Sequence, residues 1–187
     1  MNEEVSEKQK YKDSNWGGEQ LKKVKIFKHL KDEELKETYK LGTIKEVFSK
    51  AHVVVEGEPS RGLYIILEGT LSVHKTDTEK QSLIRLAYLE EGSIFGELSL
   101  IDHAPRSATV EAEEHCMLFS LSEESFREYL NREGDNLKSR FYQGCAEEIS
   151  ERFRKQNTDY IVSQTLLWKY GLRKKERKTE EENQKEG

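Results

Sequence analysis

Cysteine is scarce in this chain, and the scarcity removes several possibilities. Cys116 and Cys145 are the only two in 187 residues; they show neither a C-x-x-C nor a metal-ligand spacing, so a disulfide framework and a cysteine-built metal site are both excluded. Both thiols are expected to be reduced and structural. Long apolar runs are missing too. No stretch approaches the roughly 20 residues that a membrane helix needs, and residues 1–10 are polar and acidic, unlike a signal peptide. A cytoplasmic protein without a membrane partner is expected. Positive charge is in short supply, 31 Lys and Arg against 36 Asp and Glu for a net charge of −5. That balance argues against a nucleic-acid partner, since such binding releases counterions from a basic face. Apolar residues make up only 34% and charged residues 36%, so part of the chain should be solvated arm and not core. The length suits one domain with appended helices.

Within those limits the chain shows clear patterning. Residues 1–20 mix charge with Trp16-Gly17-Gly18 and lack periodicity, which predicts a disordered arm. Leu21, Val24, Ile26, Phe27 and Leu30 predict a short helix, and Asp32 is placed to cap a second one through Leu35 and Tyr39. From Ile44 onward the period changes to two. Strands are expected at 44–48, 52–55, 63–69, 70–75, 82–89, 108–112 and 116–121, separated by turns such as Glu56-Gly57-Glu58-Pro59. Many short strands at regular spacing, with no helices between them, indicate an antiparallel β-roll of jelly-roll type. Ser122 is placed to cap a helix that Gly134 ends, and Leu137, Phe141, Cys145, Ile149 and Phe153 then recur every fourth residue along a longer helix. Its apolar face continues through Ile161, Leu166, Leu167 and Trp168, which predicts a helix partner or a dimer seam. A basic run from Lys169 to Lys178 followed by acidic Glu180–Glu182 is expected to be a charged, solvated tail.

One stretch combines a glycine, a carboxylate, a short apolar turn and an arginine inside this β pattern: Phe95-Gly96-Glu97-Leu98 through Pro105-Arg106-Ser107-Ala108-Thr109. Gly96 permits a close backbone approach, and 98–101 is expected to form a single helical turn whose free N–H groups attract an anion. Arg106 presents a planar fork able to reach two phosphate oxygens. Glu97, when ionised, only accepts hydrogen bonds and therefore suits a sugar hydroxyl. An acceptor for a sugar beside a fork for a phosphate describes a nucleotide site; the plainer alternative is a surface salt bridge between Glu97 and Arg106.

These residues, at this spacing, resemble the phosphate-binding cassette of cyclic nucleotide-binding domains, as in catabolite activator protein and protein kinase A regulatory subunits. The L-Y-x-I-x-x-G pattern at Leu63, Tyr64, Ile66 and Gly69 is similar to the same family, while many members carry a glycine where Ala51 stands. The resemblance implies mainly β architecture with N-terminal helices and a long C-terminal helix, the roll spanning 21–135, a lid or dimer helix 136–170 and the tail 171–187. It implies that Glu97 holds the ribose 2′-hydroxyl, that Arg106 holds the exocyclic phosphate oxygens, and that N–H groups of Leu98, Ser107 and Ala108 complete the cradle beside Phe95 and Gly96. Arg152, Phe153, Gln156 and Asn157 are the positions it offers as a lid over the base. Members preferring cyclic GMP often carry threonine after the arginine, and Ser107 here favours cyclic AMP, with cyclic GMP as the second ligand.

The function so implied is a cyclic nucleotide sensor with no catalytic residues and no cofactor beyond the ligand, in which binding repositions the C-terminal helix to control a partner protein or a homodimer. Three other readings stand beside it. A bacterial-type transcription regulator would need a helix-turn-helix after the long helix, and only polar residues 169–187 remain there, so this would require the chain to be a fragment. An adaptor that keeps the fold without the ligand would have no need of Glu97 and Arg106. A metal enzyme built on His52, His74, His103 and His115 lacks a spaced ligand motif.

Overall fold

The computed structural model describes residues 11–77, 79, 82–102 and 104–183. The chain divides into two units, one ending at Cys145 and one beginning at Ala146. In the first unit, helix α1 (Ser14–Lys22) is followed by a single 3-10 turn (Lys25–Phe27) and helix α2 (Asp32–Leu41). Eight strands come next: β1 (Thr43–Val47), β2 (His52–Val54), β3 (Gly62–Glu68), β4 (Leu71–Asp77), β5 (Ser82–Leu89), β6 (Ile94–Phe95), β7 (Thr109–Ala112) and β8 (Cys116–Ser122). A one-turn helix α3 (Ser99–Asp102) lies between β6 and β7, and α4 (Glu123–Glu133) and α5 (Asp135–Asn183) follow β8. The strands form two four-stranded antiparallel sheets, ordered β1-β8-β3-β6 and β2-β7-β4-β5. This is the β-roll that the alternation predicts.

Strands β3 and β8 are buried on both faces, which explains their nearly unbroken apolar sequences. Side chains alternate across a strand, so Leu63 and Ile65 of β3 and Phe119 and Leu121 of β8 join one core. That core includes Leu21, Phe27, Leu35, Phe126 and Phe141 of the helices. Ile66 of β3 and Cys116 and Leu118 of β8 face the other way, into a second core with Leu71, Phe95 and Val110. Aromatic edges tie the helices to the first core: the Phe126 and Phe141 rings meet edge to face at 4.9 Å, and Tyr39 stacks on Phe119 at 4.9 Å. The Ser122 hydroxyl caps α4 by accepting from the Ser125 N–H, and Gly134, at φ +87, ends it.

Several expectations need correction. Disorder does not extend over residues 1–20: α1 begins at Ser14, and the Trp16 indole meets Tyr11 and Tyr39 edge to face, with the Tyr39 hydroxyl donating to the Tyr11 carbonyl at 2.9 Å. An aromatic cluster offsets the charge of that segment; residues 1–10 of the expected arm lie outside the described residues. The apolar residues at 21–30 do not form one helix, since α1 stops at Lys22. Asp32 is the first residue of α2 and not its cap; the Glu34 carboxylate instead reaches back to the Lys31 N–H at 2.7 Å. In the turn between β1 and β2, beside the Ala51 that stands where many members carry a glycine, Lys50 takes the left-handed conformation at φ +68.

In α5, Leu137, Phe141 and Cys145 are buried in the first unit, and Arg140 donates to Glu34 of α2. In the second unit, Ile149, Phe153, Tyr160, Ile161, Leu167 and Trp168 are exposed. The helix runs through the basic segment to Asn183, so the boundary expected at residue 170 is not observed. Among the described residues no helix is long and apolar enough to cross a membrane.

Candidate functional site

The cassette starts where β6 ends. Gly96 adopts φ +76, a left-handed conformation that side chains disfavour, and a Cβ placed there would stand 2.0 Å from Arg106 Nη1. Glycine therefore serves two needs here, the turn and the space for the guanidinium. Beyond Glu97 the chain closes one helical turn, with the Leu100 N–H donating to the Glu97 carbonyl at 3.0 Å and the Ile101 and Asp102 N–H groups donating to Leu98. The expected turn is thus present, one residue later than predicted.

Arg106 is anchored by the loop that precedes β3. Its N–H donates to the Glu58 carbonyl at 2.9 Å, its carbonyl accepts from the Gly57 N–H at 2.9 Å, and its Nη2 donates to the Gly62 carbonyl at 2.8 Å. The side chain is only 8% exposed and its Nη1 has no hydrogen-bond partner among the described residues. Its Cζ lies 5.7 Å from the centre of the Tyr64 ring, which in turn stacks on Phe95 at 5.1 Å. Burial lowers the guanidinium pKa, while Tyr64 and the Glu97 carboxylate oppose that shift. Glu97 is 6% exposed. Two opposite charges both withdrawn from water do not fit the surface salt bridge weighed as the alternative.

The other predicted cassette residues occupy the same segment: Phe95 is buried, Leu98 and Ser107 are exposed, and Ala108, just before β7, is half-buried. Arg152, Phe153, Gln156 and Asn157 are exposed on α5 in the second unit, with Arg152 Nε donating to Glu148 at 2.8 Å. Two residues that sequence reasoning did not assign to the site are Gly62 and Tyr64. Both reach Arg106 from β3, and the Tyr64 to Phe95 register of β3 with β6 brings them there.

The histidines do not gather. His52 faces Glu111 at 3.2 Å, His74 faces Ser72 at 2.7 Å and His115 faces Glu46 at 2.8 Å, while His103 lies outside the described residues. Among the described residues no group of three His, Cys, Asp or Glu could hold a metal ion. A cleft of about 550 Å³ opens elsewhere, at the start of α4, between Arg61 and Glu124. It contains none of the cassette residues. Its lining is charged and open, whereas ligand pockets are mostly apolar and enclose their occupant.

Residues 45–133 match the cyclic nucleotide-binding domain family. The chain is similar to a cAMP-dependent protein kinase regulatory subunit of Pyricularia oryzae, 33% identical over 132 residues that cover 66% of this chain and 34% of that protein. It therefore spans about a third of that relative's length. Among solved structures, the regulatory domain of Toxoplasma gondii PKA in complex with cAMP is 26% identical, with a TM-score of 0.63 over 75% of this chain and 51% of that one. The Thermus thermophilus catabolite activator protein has a TM-score of 0.64 at 22% identity, covering 74% of this chain and 62% of that one. This last likeness concerns the fold.

Proposed function

The chain belongs to the cyclic nucleotide-binding domain family through residues 45–133, and from that premise we propose that it senses a cyclic nucleotide, cyclic AMP in preference to cyclic GMP. The observation that carries the reading is Arg106: a buried guanidinium with one nitrogen unpartnered among the described residues, beside a glycine that clears its space and a buried carboxylate. A buried, unpaired donor of this kind is costly unless an anion completes it. In this reading Arg106 takes the phosphate oxygens, Glu97 takes the ribose 2′-hydroxyl, and Phe95, Gly96, Leu98, Ser107 and Ala108 form the cradle. The likeness to a regulatory domain solved with cAMP supports cyclic AMP as the ligand.

The role proposed is regulatory and not catalytic. Ligand binding favours one arrangement of the helix after Gly134, and that arrangement controls a partner protein or a second copy of the chain. The work available is the difference in ligand affinity between the two arrangements. Titration calorimetry of the purified protein with cyclic AMP, cyclic GMP and AMP tests the reading. Cyclic AMP is expected to bind tightest, and Arg106→Ala to weaken it by about 2–5 kcal/mol because the phosphate loses its counter-charge. Unchanged affinity in that variant would refute the assignment.

A further inference from the structure

Lys75 and Glu56 stand outside the residues so far given a role. Lys75, on β4, donates from Nζ to the Ser107 carbonyl at 2.7 Å and lies 2.6 Å from Glu56 Oε1. Glu56 is itself held on two sides, since its Oε2 accepts from the Thr76 N–H at 2.9 Å and its own N–H donates to Thr109 Oγ1 at 3.0 Å. Its carboxyl is held down at about 2, by Lys75 first and then by Thr76, so it is ionised at neutral pH. The two side chains are 49% and 24% exposed, and a pair this open to water adds little to folding.

The geometric effect of the pair is larger than its energetic one. The Ser107 carbonyl and the Ala108 N–H belong to a single peptide unit, and no cis peptide occurs among the described residues. In a trans unit the two groups point in opposite directions. Drawing the oxygen toward Lys75 therefore turns the N–H to the other side of the segment, and a hydrogen bond at the oxygen polarises the unit and strengthens the N–H as a donor.

We infer that Lys75, seated by Glu56, is a positioning residue for the phosphate cradle, locking the 107–108 peptide so that the Ala108 N–H is presented to an anionic oxygen of the ligand. The inference rests on the cyclic nucleotide reading of the site. It assigns a role to a lysine on β4, outside the 95–109 segment itself.

Wild type, Lys75→Met, Lys75→Arg, Glu56→Gln and Arg106→Ala are compared by calorimetry with cyclic AMP, by thermal melting and by the amide resonance of Ala108. Lys75→Met is expected to melt as the wild type does, to bind about tenfold more weakly and to shift the Ala108 resonance in the ligand-free protein. Lys75→Arg, which keeps the charge and the donor, should restore both readouts, and Glu56→Gln should fall between. The inference alone is overturned if wild type binds, Arg106→Ala loses binding, and Lys75→Met binds as tightly as wild type or leaves the Ala108 resonance in place. If wild type binds no cyclic nucleotide, the site reading falls and this inference falls with it.

Discussion

Gly96→Ala separates two demands that the cassette makes on one residue. A left-handed backbone costs alanine roughly 1–2 kcal/mol, and φ at this position is +76. The added Cβ would also stand 2.0 Å from Arg106 Nη1 and 2.9 Å from the Gly62 carbonyl oxygen, where ordinary contact begins at 3.4 Å. The guanidinium must retreat by more than an ångström and surrender its 2.8 Å bond to Gly62, a loss of about 1–3 kcal/mol for a buried charged donor. Together these predict a destabilisation of about 2–5 kcal/mol. Gly92→Ala is the matched control, because Gly92 has φ +80 and open space around it, so only the backbone cost of about 1–2 kcal/mol applies. Urea denaturation measures both variants, and calorimetry with cyclic AMP is expected to show affinity lost on the order of 100-fold for Gly96→Ala and kept for Gly92→Ala. A Gly96→Ala protein as stable as Gly92→Ala would refute the collision argument.

Glu97→Gln should weaken cyclic AMP more than its 2′-deoxy analogue when both are titrated, and an equal loss would count against a ribose contact. Lys50→Gly should raise the melting temperature by roughly 2–4 °C, since it relieves a left-handed lysine at the cost of a more flexible unfolded chain; a lower melting temperature would show that its contacts with Glu111 and Glu113 matter more. Stability should also fall in alkali. Burial pushes the Cys145 thiol from 9.0 up to about 12, with Glu97 adding to the shift, and pushes the Tyr39 and Tyr129 hydroxyls from 10.0 up to about 12. The unfolded chain releases these protons first, so the stability they contribute is complete below about pH 9 and is lost as pH rises toward 12. Denaturation midpoints measured at about pH 8, 10 and 11 should decline in that order, and a rise would contradict the burial of these groups.

The cassette was legible because its parts are close in the chain: Gly96, Glu97, the turn and Arg106 all fall within residues 96–106. The roll was legible because many short strands recur at regular spacing, bounded by turns such as Glu56-Gly57-Glu58-Pro59, even though β3 and β8 are nearly unbroken in apolar residues. What escaped depended on pairing across the fold. The Gly62 carbonyl lies 44 residues from Arg106, and the backbone bonds of Arg106 to Gly57 and Glu58, together with the β3 to β6 register, bring them together. Lys75 in sequence is one more charge on a strand, and nothing local shows that it meets the Ser107 carbonyl. Trp16 sits among polar residues, and its value emerges only once Tyr11 and Tyr39 flank it.

Strand β3 has a further consequence. One of its faces carries Tyr64 beneath the arginine, while the residues on either side, Leu63 and Ile65, point into the core that Phe126 and Phe141 fill. A single thickness of backbone is therefore floor to one room and ceiling to the other. Trimming Leu63 or Ile65 on the far side would tilt the surface on which the guanidinium rests, so residues that never meet a ligand can still set how well it is held.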